Sequence, residues 1–204
     1  VSGPERQPIV VADAGPLLRL AAAGLLGSIR GLNRRVVLVD RVEDELIGDR
    51  SKPCADEIAA WIDAMGPSLL RANTAVGEGI NALRQRERSI RDDQVLKSAL
   101  RNSGELALRE FIDLWRPDDE GSALVIYEDR RVPGLFLEVD YPVTLMTTRA
   151  FVQTIVGWGI NIEAAAALEA IGATYDLKPA LIGTIDPETP IDMRALPQPV
   201  AKLP

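Results

Sequence analysis

The sequence predicts an α/β fold, a three-layer α/β/α sandwich around a central, mainly parallel sheet. Three observations predict it. Short apolar runs recur along the chain: Pro8 to Ala12 (PIVVA), Arg35 to Val39 (RVVLV) and Ser122 to Tyr127 (SALVIY). Runs of this length without polar alternation read as strands buried on both faces, the setting of a parallel sheet. Between them lie longer stretches with apolar residues at helical spacing, and strand alternating with helix is the pattern of a sheet covered on both sides. The 204 residues suffice for one domain with a sizeable core.

The first strand candidate ends at Asp13. Gly15-Pro16 and an Ala/Leu-rich stretch from Leu17 to Ile29 follow, and a helix should start here because proline suits a first turn. After the second strand, Asp40 is placed to cap a short helix carrying Val42, Glu45, Leu46 and Ile47. Lys52-Pro53 opens another helix, with Ile58, Trp61, Ile62 and Met65 at helical spacing, and Gly66-Pro67 ends it. A long polar helical region covers roughly Gly77 to Trp115, divided near Asn102-Ser103-Gly104. Glu128-Asp129 closes the SALVIY strand. Arg131 to Tyr141, with Pro133-Gly134 between apolar runs, reads as a hairpin or loop. Val143 to Met146 is a further strand candidate, Thr147 or Thr148 can cap a helix through Trp158, and an Ala-rich helix from Ile162 to Ile171 is closed by Gly172. Five prolines fall between Pro187 and Pro204, so an extended tail that wraps the domain or binds a partner is expected. The domain is therefore placed at 8–172 and a Pro-rich C-terminal extension at 173–204.

Composition removes whole classes of chemistry. The chain has no His, which excludes Ser-His-Asp hydrolysis, Cys-His proteolysis and His-based acid/base cleavage of RNA within it. Zinc sites favour Cys and His ligands, and Cys54 is the one cysteine. No intrachain disulfide can form, which fits a reducing, cytoplasmic setting. No apolar run approaches the ~20 residues a membrane-spanning helix needs, so no membrane association is expected. The net charge of −7 runs against a nucleic-acid binder, unless part of the acidity is gathered in a cation site.

Ligand sites of open α/β sheets lie at the carboxyl ends of the strands. Two strand candidates end there in acids, at Asp13 and at Glu128-Asp129. Taken singly, each acid has an ordinary structural reading. Asp13 could cap a helix, Glu105 could be a first-turn acid favoured by the helix dipole, Glu128-Asp129 could form a turn, and Glu45 could be a solvated helix residue. Four segments together are more specific: Val11-Ala12-Asp13-Ala14-Gly15-Pro16-Leu17, Val42-Glu43-Asp44-Glu45-Leu46, Ser103-Gly104-Glu105-Leu106-Ala107 and Val125-Ile126-Tyr127-Glu128-Asp129-Arg130-Arg131.

In order and wording these segments resemble the PIN-domain family of ribonucleases, which includes the VapC-like toxins. Thr147-Thr148-Arg149-Ala150-Phe151 and Gly157-Trp158-Gly159-Ile160 are similar to that family's Thr-containing turn and closing helices. The resemblance spans about Pro8 to Gly172. It implies a PIN-like sandwich and a metal-dependent endoribonuclease. Asp13, Glu105 and Asp129 then match the metal-holding, catalytic acids, Glu128 could share the last role, and Glu45 matches the more variable acid of the second helix. It also implies Mg²⁺ or Mn²⁺ as cofactor, RNA as substrate, an antitoxin or immunity protein as partner of a toxin, and a homodimer as a common arrangement. Physically the set is coherent. Phosphodiester hydrolysis builds charge on phosphate oxygens, hard cations neutralise it, and such cations take oxygen ligands without His. The chain departs from the family at Arg131 to Tyr141, where a helix is usual, in the longer segment from Thr74 to Arg101, and in the tail beyond Gly172.

Basic residues offer phosphate contacts. Arg84, Arg88 and Arg91 share one helical face, and Lys97 and Arg101 form another pair, although a solvated helix paired with Glu87, Asp92 and Asp93 accounts for them somewhat better. Arg130, Arg131 and Arg149 lie beside the acids in sequence and are better placed. Trp61, Trp115 and Trp158 read as packing residues, and Cys54 as an inert residue at a helix start. Two other function classes compete. A noncatalytic PIN-like binding module would fit the acidic charge and the altered Arg131 to Tyr141 region. A phosphoacceptor or phosphatase would use Asp13 as nucleophile, but Gly15 stands where a haloacid-dehalogenase-like enzyme has a second Asp.

Overall fold

The computed structural model describes residues 8–32, 34–90, 93–115, 121–129, 131–136, 139–175 and 191–192. Strand β1 (Ile9–Ala12) is buried at every position and lies at the centre of the sheet. It pairs in parallel with β2 (Arg35–Val39) on one side and β4 (Ala123–Tyr127) on the other, with Val10 opposite Val36 and Leu124. Strand β3 (Leu69–Ala72) continues in parallel beyond β2, and β5 (Val143–Thr147) beyond β4. The result is an all-parallel five-stranded sheet in the order β3-β2-β1-β4-β5, flanked by helices. A two-residue strand, β6 (Ile191–Asp192), adds antiparallel to β5, so part of the C-terminal extension joins the sheet. The other extension residues beyond Tyr175 lie outside the described residues.

The apolar runs became strands because both faces are covered. Val10, Val37, Val125 and Leu145 are at most 1% exposed. Leu17 and Leu20 of α1 (Ala14–Ala22), Leu108 and Ile112 of α7 (Ser103–Leu114), and Phe151 and Ile155 of α9 (Thr148–Gly157) pack into the same core. The chain runs from β1 outward through β2 to β3, then returns past β1 to β4 and β5. Neighbouring strands β1 and β2 thus leave in one direction while β1 and β4 part in the other, the crevice-forming arrangement of open α/β sheets. The Asp13 N–H bonds to the Ile126 carbonyl at 3.0 Å, so the carboxyl ends of β1 and β4 are locked side by side.

Several expectations needed correction. The stretch from Leu17 to Ile29 forms two helices, α1 and α2 (Gly27–Arg30), because Gly24 turns the chain at φ +68°. Asp40 is the first residue of α3 (Asp40–Ile47), and its carboxylate accepts from Thr74 N–H and Oγ1, tying α3 to the start of α5 (Ala75–Ile90). The helix expected from Lys52-Pro53 is α4 (Ala55–Met65), entered through a left-handed Cys54. Strand β3 had no clear sequence signal, since LLRA is short and only half-buried. The long polar region contains α5, α6 (Asp93–Leu100) and α7. Arg131 to Tyr141 opens with a one-turn helix, α8 (Val132–Leu135), with Pro133 in its first turn, where a proline needs no N–H donor. The last helix, α10 (Ala164–Tyr175), continues through Gly172. Thr147 does cap α9, accepting from Ala150 N–H at 3.2 Å. Trp115 packs edge-on to Tyr141, with centroids 5.2 Å apart, whereas Trp158 is 64% exposed at the end of α9 and is no core residue.

Candidate active site

An open cleft of about 650 Å³ lies at the carboxyl ends of β1 and β4. Asp13, Glu45, Glu105, Glu128 and Asp129 all line it, so every acid singled out in the sequence reaches one place. They arrive from separate elements. Asp13 follows β1, Glu45 comes from the second turn of α3, Glu105 from the first turn of α7, and Glu128-Asp129 from the end of β4.

Asp13 sits at the N-cap position of α1 with extended backbone, but its side chain makes no capping hydrogen bond. Helix capping therefore does not explain it. Burial pushes its carboxyl up to about 6, the Ala14 N–H partly offsets this, and Glu45, Asp129 and Glu128 push it further. Glu105 is also raised, first by burial, then by Asp129, Asp13 and Glu45, with Arg131 pulling the other way. Gly104 brings these groups close to α7. A Cβ there would stand 3.3 Å from Glu45 Oε2 and 3.7 Å from Asp13 Oδ1, so these carboxylates converge on the helix start, where the backbone dipole favours negative charge.

Glu128 is turned toward a different neighbour. Its Oε2 pairs with Arg19 at 3.3 Å. Burial raises its pKa, and Thr148 and Arg19 only partly offset this. Glu128 Oε1 and Thr148 Oγ1 are both buried without a hydrogen-bond partner among the described residues. Asp129 is held by Arg131, whose Nε and Nη2 donate to its two oxygens at 3.0 and 2.7 Å. The same Nη2 reaches Glu105 Oε1 at 2.9 Å.

Arg41, which the sequence did not mark, completes the cleft together with Asp44, Arg84 and Lys52. Arg41 is only 5% exposed, and its Nε donates to Ser103 Oγ at 3.2 Å, tying α3 to the start of α7 and hence positioning Glu105. Arg41 and Arg84 both bind Asp44 Oδ2. Burial alone would raise Asp44, but hydrogen bonds from Arg84 and Arg41 more than offset it and hold its carboxyl below the usual range. Arg84 therefore pairs across to α3, while the side chain of Glu87 lies outside the described residues. The side chain of Arg88, and Arg91, Asp92 and Arg130 entirely, lie outside the described residues. Lys52 donates to the Glu45 carbonyl at 2.7 Å and also lines the cleft. The only sequence signal for Arg41 was a basic residue on the apolar side of a short helix.

The donor set is chemically suited to a hard divalent cation: carboxylate oxygens with no nitrogen or sulfur ligand among them, and an Asp13 carboxyl raised first by burial and then by its carboxylate neighbours. As they stand, however, no three of the acids among the described residues are drawn together tightly enough to hold one ion. No helix of the described residues is long and apolar enough to cross a membrane. No protein-family model matches the chain, and no curated protein or solved structure is significantly similar to it.

Proposed function

We propose that this chain is a metal-dependent endoribonuclease of the PIN type, hydrolysing RNA phosphodiester bonds in the acidic cleft. The observation that carries this reading is the convergence of Asp13, Glu45, Glu105, Glu128 and Asp129, from four separate segments, on one cleft at the carboxyl edge of a parallel sheet. Asp13, Glu105 and Asp129 would hold Mg²⁺ or Mn²⁺, with Glu45 and Glu128 beside them. The bound cation supplies charge neutralisation and an activated water at the scissile phosphate. The chain's own part is to gather the acids, keep them partly dry and orient them. Asp13, with its pKa near 6, can also hold a proton close to neutrality. Arg41, Arg84 and Lys52 also line the cleft, where positive charge would offset the acids' repulsion of an RNA backbone. A toxin role, an antitoxin or immunity protein that covers the cleft, a homodimer and a cytoplasmic setting belong to this proposal through the family resemblance. The phosphatase alternative lacks the second Asp two residues after Asp13, where Gly15 stands.

Incubation with total RNA and Mn²⁺, beside EDTA and an Asp13→Asn variant, tests the proposal. Cleavage that requires both the metal and Asp13 supports it; metal-independent cleavage, or none, refutes it. One observation favours a second reading, a noncatalytic PIN-like binding module: no three described acids share a ready cation position. That module would show no Mn²⁺-induced rise in Tm and no RNA cleavage.

A further inference from the structure

The basic side chains of the cleft divide by what they neutralise. Arg19 meets Glu128, Arg41 and Arg84 meet Asp44, and Lys52 meets a backbone carbonyl. Arg131 instead bridges two of the proposed metal-holding acids. Its Nη2 stands between Glu105 Oε1 at 2.9 Å and Asp129 Oδ2 at 2.7 Å, its Nε takes Asp129 Oδ1 at 3.0 Å, and its Nη1 takes Asn102 Oδ1 at 2.9 Å. One planar fork thus joins the start of α7 to the turn after β4, using carboxylate oxygens that a shared cation would also use. The side chain is 57% exposed, so it reaches in from the rim and can leave without opening the core. Asn102, left-handed at φ +61°, presents the oxygen that fixes the far side of the guanidinium.

We propose that Arg131 is a positioning residue that holds Glu105 and Asp129 together in the metal-free protein and yields them to the divalent ion, so that loading the site exchanges one cation for another. The inference rests on the metal-dependent reading above. Metal affinity then includes the loss of Arg131's hydrogen bonds, and a side chain without the fork should relieve that loss.

Mn²⁺ binding to the full chain, followed by electron paramagnetic resonance of free Mn²⁺ at fixed ionic strength, tests this with wild type, Arg131→Gln and Arg131→Lys. Near-UV circular dichroism checks that each is folded. Arg131→Gln should bind about five- to tenfold more tightly than wild type. Arg131→Lys keeps the charge but loses the fork, and should lie nearer to Arg131→Gln than to wild type. If Arg131→Lys matches wild type, the residue acts only as background charge and the proposal is overturned. Equal affinity of Arg131→Gln and wild type overturns it too, while leaving the metal reading intact. No binding by any of the three overturns the metal reading and this inference together. A second readout is the ¹⁵Nε–¹Hε resonance of Arg131 during titration with diamagnetic Mg²⁺. It should shift and lose exchange protection as the site fills; a resonance unchanged at saturation overturns the exchange.

Discussion

Replacing Asp13 by Asn separates an acid kept for function from one kept for structure. The folded protein raises this carboxyl from 3.8 to about 6, chiefly by burial and then by the charges of Glu45, Asp129 and Glu128. A raised carboxyl binds its proton more tightly in the folded state than in the unfolded one. Its contribution to stability therefore falls as pH rises from about 4 to about 6 and stays low above that. About two pKa units at ~1.4 kcal/mol each correspond to roughly 3 kcal/mol; sharing among coupled acids makes 1–3 kcal/mol the working range, on the order of the shift itself. Asn has nearly the same shape and no charge, and the Asp13 side chain makes no capping bond that Asn would need to replace. The metal-free Asp13→Asn protein should therefore be more stable than wild type at pH 7.5 by about 1–3 kcal/mol, with the gap closing by about pH 4. Urea denaturation in EDTA at both pH values measures this. A variant less stable than wild type at pH 7.5, or a gap independent of pH, would refute the reasoning and return Asp13 to a structural role. Added Mn²⁺ should then stabilise wild type by mass action and leave Asp13→Asn unchanged.

Three further outcomes follow from the geometry. Gly77→Ala places a Cβ on top of the Asp40 carboxylate, which also holds Thr74, so unfolding free energy should fall by about 2 kcal/mol or more in urea denaturation. Arg41→Met keeps the buried stem but loses the bonds to Ser103 and Asp44; a cost of about 1–3 kcal/mol and a slower RNA cleavage, through a displaced Glu105, are expected by denaturation and by a fluorescent RNA assay. Glu105→Gln removes a carboxylate that burial already disfavours as an anion, so Tm should change by no more than about 2 °C while Mn²⁺-dependent cleavage drops about 100-fold or more.

The strands at the centre of the sheet were legible because burial on both faces leaves nothing but apolar residues there. Ile9 to Ala12 and Ala123 to Tyr127 are buried at every position. β3 was not legible for the converse reason: at the sheet's edge it is half-exposed and contains Arg71. The acids were legible because the ends of elements are where sequence carries punctuation. Asp13 precedes Gly15-Pro16, and Glu105 follows Gly104. What sequence could not give was the distance between them, since that depends on contacts between residues far apart in the chain. Gly104 reads as a helix start, yet its larger consequence is the room it leaves for Glu45 and Asp13 against α7. Arg41 lies 62 positions from Ser103, and no local pattern announces that the two meet. Arg131 shows the same limit in the site itself. Its place beside Asp129 in sequence marked it as a phosphate contact, but the backbone turn after β4 swings its guanidinium across to Glu105 and Asn102 on α7. A local reading assigned the charge to the substrate, whereas the fold gives it to the acids. The same side chain could meet a phosphate only if the acids released it, so under the proposed metal-dependent reading the occupancy of Glu105 and Asp129 by Arg131 is the quantity to measure.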